Sequence, residues 1–186
     1  MQIHAKKQKN YYNSLMIKTF IIAAQTADGY IAKHSDHPAV WTSKDDKKRF
    51  IEITKRAGVM VMGLRTFKTL GKALPGRLNI VYSDKTENPE IEGVEYTSLS
   101  PKELIKSLEE RGFKEVAICG GTSIYTMFME SGIVETLYLT IEPKIFGSGM
   151  NLFNKDLDYD LKLVSSESTE SGTTLFEYEV LHPEKI

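Results

Sequence analysis

Val116-Ala117-Ile118-Cys119-Gly120-Gly121-Thr122-Ser123-Ile124-Tyr125 runs from a short apolar stretch through a glycine pair into an apolar helical stripe. The apolar stretch reads as a strand covered on both faces. Thr122 and Ser123 are hydroxyl residues suited to capping a helix whose stripe continues through Ile124, Tyr125, Phe128 and Met129. A strand that passes through glycine into a helix can bring backbone N–H groups against a phosphate. No Cβ stands in the way, and the helix dipole points there. The same pattern also serves as an ordinary tight turn, so the rest of the chain has to decide.

A second junction of this kind lies upstream. Residues 59–62 form another apolar run, Gly63 follows, and a helix is predicted over residues 65–70, opening with Arg65 and Thr66. Two such helix starts are suited to holding the two phosphates of a dinucleotide from opposite sides. Residues 17–24 read as the first, central strand. Residues 25–40 follow as one long loop carrying Asp28, Gly29, His34, His37 and Pro38, of a length that in a compact domain is usually functional or mobile.

Ser43 is the predicted N-cap of the next helix, and Asp46 stands three residues later. As a capping acid, Asp46 would stabilise the first turn by about 0.5–2 kcal/mol. The helical faces favour more than capping. Asp45, Arg49, Glu52 and Arg56 share a charged side, whereas Asp46 is the only charged member of the side that holds Phe50, Ile53 and Ala57. A carboxylate aimed at an apolar interior is costly unless a cation or a hydrogen-bond donor meets it. Beside Trp41 and Phe50 it is placed to face a flat heteroaromatic ligand bearing N–H donors.

Residues 73–77 form a Pro-Gly turn that presents Arg77, either as a turn residue or as a clamp for a carboxylate. The strand at residues 78–82 closes on Ser83, Asp84 and Lys85, where a nucleotide ribose would have room. Residues 94–97 form a short strand. Ser100, Pro101 and Glu103 spell a capping box before the stripe Leu104, Ile105 and Leu108, with Gly112 as the stop. A strand follows at residues 134–141 and a glycine-containing loop at residues 143–149. A terminal antiparallel hairpin is predicted from residues 161–168 and 173–181 around Ser171-Gly172, with Phe176, Tyr178 and Val180 toward the core. This β-α-β-α order predicts an α/β three-layer sandwich, in which a mostly parallel central sheet carries helices on both faces and an antiparallel C-terminal edge hairpin.

The chain has 186 residues and a formal net charge of -1. It reads as a polar, basic and flexible extension over residues 1–15 followed by one domain over residues 16–186. Near-neutral charge argues against nucleic acid or an anionic membrane as partner and favours a small molecule. Monomer and homodimer both stay open. Cys119 is the only cysteine and lies in an apolar run, which points to a buried inert thiol in a reducing, cytoplasmic setting. His4, His34, His37 and His182 show no metal-ligand spacing, and no metal is expected.

Taken together these residues resemble the dihydrofolate reductase family over nearly the whole chain. The resemblance rests on Ile22-Ala23-Ala24, Asp28 to Ile31, Trp41 with Asp46 and Phe50, Val61-Met62-Gly63 with Thr66, and Leu74-Pro75-Gly76-Arg77. Ser83, Gly120-Gly121 with Tyr125, and Leu137-Tyr138-Leu139-Thr140 complete it. It implies NADPH-dependent reduction of 7,8-dihydrofolate to tetrahydrofolate. Asp46, with Thr140 in its network, would bind the pterin 2-amino group and N3 and favour protonation of N5. Phe50 would pack on the benzoyl ring and Arg77 would hold the glutamate carboxylate. Ala23, Ala24, Trp41, the backbone of Cys119 and Tyr125 would line the substrate pocket. The cofactor would lie against Ala24, Ile31, Gly63, Arg65, Thr66, Ser83, Lys85, Gly120, Gly121, Thr122, Ser123, Ile124 and Tyr125. The family also implies a cis peptide at Gly120-Gly121.

Some residues depart from the family. Leu64 stands where an arginine often meets the 2′-phosphate of NADPH, and Asp84 disfavours that dianion, while Arg65 and Lys85 are cations nearby. Lys47 replaces an apolar residue, and Ala39-Val40 replaces methionine-proline before Trp41. The stretch Pro-Lys-Ile-Phe-Gly-Ser-Gly at residues 143–149 instead resembles the related reductase domain of riboflavin synthesis, which acts on a ribosylamino-pyrimidine phosphate. The remaining alternative is a nucleotide-binding protein without catalysis, which would have no use for Asp46.

Overall fold

The computed structural model describes residues 17–182; the extension expected at residues 1–15 lies outside them. Eight strands form the main sheet: β1 Lys18–Thr26, β3 Val59–Gly63, β4 Leu78–Tyr82, β5 Val94–Thr97, β6 Glu115–Ile118, β7 Thr136–Glu142, β9 Asp160–Ser168 and β10 Thr174–Leu181. Their order is β5-β4-β3-β6-β1-β7-β10-β9. The pairings from β5 to β7 are parallel, and β10 is antiparallel to both β7 and β9. This is the sheet expected from the sequence, with its antiparallel edge hairpin.

Alternation along the strands sends neighbouring side chains to opposite layers. Helices α1 Lys44–Ala57 and α2 Leu64–Leu70 cover one face, where Phe50, Ile53, Ala57 and Phe67 pack with Phe20, Ile22, Met60, Met62 and Val81. Helices α3 Pro101–Glu110 and α4 Thr122–Glu130 cover the other, where Leu104, Ile105, Leu108, Ile124 and Phe128 pack with Ile21, Val59, Val61, Ile80 and Ile118. Local signals set the helix ends. Ser43 accepts the Asp46 N–H at the start of α1, Gly58 ends that helix at φ 73°, and the Ser100–Glu103 capping box opens α3.

The structure changes three expectations. The loop at residues 25–40 is not continuous: it contains β2 Tyr30–Ala32, paired antiparallel with β8 Met150–Asn151, and a 3-10 turn at Ala39–Trp41. A three-residue strand leaves almost no periodicity to read. The hydroxyls at residues 122 and 123 do not cap α4. Gly121 is the N-cap, and the Thr122 hydroxyl donates to the Asn151 carbonyl at 2.7 Å. Strand β7 starts at Thr136 rather than residue 134, because its pairing with β1 begins at Phe20 opposite Thr136. In the hairpin, Val180 is buried, whereas Phe176 and Tyr178 are half-buried and stacked at 5.6 Å.

Phe128 is wholly buried and meets Tyr82 edge-on at 6.1 Å. We expect Phe128→Ala to cost about 3–5 kcal/mol, measured by urea unfolding. A loss below about 1 kcal/mol would show that this layer repacks around the void.

Candidate active site

Asp46 lies in the first turn of α1, where that helix meets β7. The hydroxyls of Thr140 and Thr42 lie beside its carboxylate and favour its charged form. Burial is the largest influence on it and raises its proton affinity. The two hydroxyls oppose that effect, the charge of Glu142 adds to it, and the Arg49 guanidinium opposes it. Arg49 does not neutralise the acid at short range, because it donates to the carbonyls of Phe176 at 2.7 Å and Leu139 at 3.4 Å. Asp46 is therefore a carboxylate drawn toward the interior and held by neutral donors.

The elements around it bring the other expected substrate-side residues together. β1 and β7 pair with Ala23 opposite Leu139 and Ala24 opposite Thr140, so both alanines flank the strand that carries Thr140. Phe50 lies one helical turn beyond Asp46, half-buried in the same layer. Tyr125 is buried and donates its hydroxyl to the Ile22 carbonyl at 2.9 Å. Cys119 pairs its N–H with the Val61 carbonyl at 2.8 Å, and burial pushes its thiol far up, as expected of an inert cysteine.

Arg77 donates to the Thr54 hydroxyl at 2.8 Å and to the Ile51 carbonyl at 3.3 Å, which braces its guanidinium against α1. Its Nε and the Trp41 Nε1 are buried donors without a partner among the described residues. Such donors are rare in a finished interior. Both suit a ligand that brings acceptors. Trp41 is held edge-on by Phe146 at 5.0 Å, and the backbone of Phe146 and Gly147 is tied to the carboxylate of Asp28.

The two glycine junctions meet, because β3 and β6 are neighbours. The Gly63 N–H donates to the Gly120 carbonyl at 2.8 Å, and the Gly120-Gly121 peptide is cis. A Cβ on Gly121 would lie 3.3 Å from Thr66 Oγ1, and one on Gly63 would lie 3.3 Å from Ile124 Cγ1. Gly120, at φ +95°, has the Tyr125 ring where a Cβ would go. Bare backbone, one hydroxyl and two helix starts thus share one surface, which fits a dinucleotide cofactor. Ile31 is half-buried on β2, and Arg65, Lys85 and Ser123 are exposed. Two side chains depart from the expected cofactor-facing placement. The Ser83 hydroxyl donates to Asn88 Oδ1 at 2.7 Å, and the Thr122 hydroxyl is engaged with Asn151.

Sequence reasoning missed Thr42 and Glu142. Glu142 shares strand parity with Thr140, and that spacing was a readable signal of a carboxylate on a core-facing position.

The sequence profile of one protein family, described as Dihydrofolate reductase, matches residues 18–182. The chain belongs to the dihydrofolate reductase family. Among its relatives, the dihydrofolate reductase of Bacillus subtilis is 32% identical over 165 residues, covering 88% of this chain and 92% of that protein. Among solved structures, a dihydrofolate reductase from Enterococcus faecalis complexed with NADP(H) and RAB-propyl shares the fold at TM-score 0.69 and 21% identity, covering 88% of this chain and 96% of that one. A putative riboflavin biosynthesis protein from Shewanella sp. PV-4 shares it at TM-score 0.72 and 21% identity, covering 89% and 100%. The family is one of oxidoreductases. Among the described residues, no helix is long and apolar enough to cross a membrane.

The desolvated acid has a measurable signature. Because folding raises the proton affinity of Asp46, the native state favours its protonated form, and stability falls as pH rises through that titration. Asp46→Asn is expected to raise Tm at pH 7 and to leave it nearly unchanged at pH 4, as followed by calorimetry. An equal effect at both values would mean that Asp46 is not held desolvated.

Proposed function

We propose that this reductase converts 7,8-dihydrofolate to 5,6,7,8-tetrahydrofolate, with NADPH as the reductant. The carrying observation is Asp46: an acid drawn out of water beside the hydroxyls of Thr140 and Thr42, with Arg49 turned to backbone carbonyls. A pterin presents a 2-amino group and an N3–H, two donors that match one carboxylate. NADPH supplies the hydride that reaches pterin C6. Asp46 orients the ring, and its negative charge favours the proton that arrives at N5, an electrostatic contribution made in a site with little water. Thr140 fixes the orientation of the acid. Trp41 and Phe50 keep water from the ring, and Arg77, braced on Thr54, clamps the glutamate carboxylate. Gly63, Thr66, Gly120 and Gly121 hold the pyrophosphate through bare backbone and one hydroxyl.

A second reading, reduction of a ribosylamino-pyrimidine phosphate, draws on the fold likeness to the putative riboflavin biosynthesis protein and on the loop at residues 143–149. The acid on the apolar face of α1 favours the pterin. Loss of NADPH absorbance on adding dihydrofolate supports the first reading. Turnover with the pyrimidine alone would replace it, and binding of NADPH without turnover of either compound would point to a non-catalytic protein.

Asp46→Asn is expected to keep NADPH affinity and to lose about 100-fold or more of kcat/KM for dihydrofolate at neutral pH. A change within about twofold would reduce Asp46 to a helix cap. Arg77→Ala is expected to raise KM for dihydrofolate by about tenfold or more, with little effect on a pterin lacking the glutamate tail. Equal effects on both substrates would remove the clamp.

A further inference from the structure

Glu142 has no part in the reaction described above, yet it is the most deeply buried acid among the described residues, at 2% exposure. Its carboxylate is met by neutral donors: the Ser43 N–H at 2.7 Å to Oε1 and the Thr173 hydroxyl at 3.0 Å to Oε2. Ser43 is the N-cap of α1, and its own hydroxyl receives the Asp46 N–H at 3.1 Å. Thr140 and Glu142 are alternate residues of β7 on one face, about 7 Å apart along the strand. One binds the Asp46 side chain, and the other binds the backbone three residues before it. Two acids thus converge on the positive end of one helix.

We infer that Glu142 is a positioning residue for Asp46: its carboxylate, held by the Ser43 N–H and the Thr173 hydroxyl, anchors the first turn of α1 to β7. The inference rests on the reading of Asp46 as the substrate-facing acid. The anchor reaches a third element through Thr173, whose Oγ1 lies 3.1 Å from the Ser171 hydroxyl; that hydroxyl also lies 2.9 Å from the carboxylate of Asp45. The other groups facing Asp46 leave this role to Glu142. Arg49, on the same helix, is turned to the carbonyls of Leu139 and Phe176, and Tyr125, from α4, is bound to the Ile22 carbonyl. The charge of Glu142 acts on Asp46 in the same direction as burial, against the two hydroxyls.

The test is Glu142→Gln, which keeps the shape and an acceptor for the Ser43 N–H while removing the charge. Titration of the Asp46 carboxyl is followed by carbon NMR in the ligand-free, full-length protein, with Asp46→Asn identifying the resonance. The pH profile of kcat/KM with dihydrofolate and NADPH is measured in parallel. We expect the Asp46 midpoint to move to lower pH in both experiments. An unmoved midpoint, with only Tm or kcat altered, would leave Glu142 a purely structural residue and overturn the inference. Should the variant not fold, Thr173→Val, which removes the hydroxyl that meets Glu142 Oε2, takes its place: a moved Asp46 midpoint supports the inference and an unmoved one overturns it. The NMR arm needs no substrate. A moved midpoint in a protein that never turns over dihydrofolate would retire the proposed substrate and leave the coupling standing.

Discussion

The meeting of α1 with β7 places a carboxylate where water is scarce and supplies only hydroxyl groups to hold it. A buried acid without a cation is costly to the fold. Here the cost is limited by two neighbouring hydroxyls and by the positive end of the helix, and the charge stays available to whatever enters the cleft. The nearest guanidinium is kept from the acid by two backbone carbonyls, so the charge of Arg49 is used to tie α1 to the antiparallel edge of the sheet. The stability that the protein forgoes at this point is what a ligand with N–H donors can recover.

The second constraint is the sheet order. Chain order would not place residue 63 beside residue 120, but β3 and β6 are neighbours, and both lead through glycine into helices. The two turns therefore abut, with one backbone hydrogen bond between them and only glycines facing each other across it. β1 and β7 complete the cleft in the same way, since their register sets Ala24 opposite Thr140. The cleft thus lies at the C-terminal ends of parallel strands, where α/β sheets gather loops and helix starts.

The sequence alone determined the longer strands and helices, the helix starts at Ser43 and Ser100, the terminal hairpin and the face of α1 that carries Asp46. Each rests on periodicity or on a cap within a few residues, and such short-range interactions leave their mark in consecutive letters. Tertiary structure decided the partners of the polar groups. The Ser43 N–H finds Glu142 across 99 positions, and Arg49 finds the Phe176 carbonyl across 127. The hydroxyls of Ser83 and Thr122, expected to face a cofactor, are engaged by Asn88 and Asn151. The pairing of β2 with β8 was equally invisible, because such short strands exist only through each other. Which donor reaches which acceptor depends on strand order and register. Those are set by packing two layers of helices onto one sheet, and no local stretch of the chain carries that information.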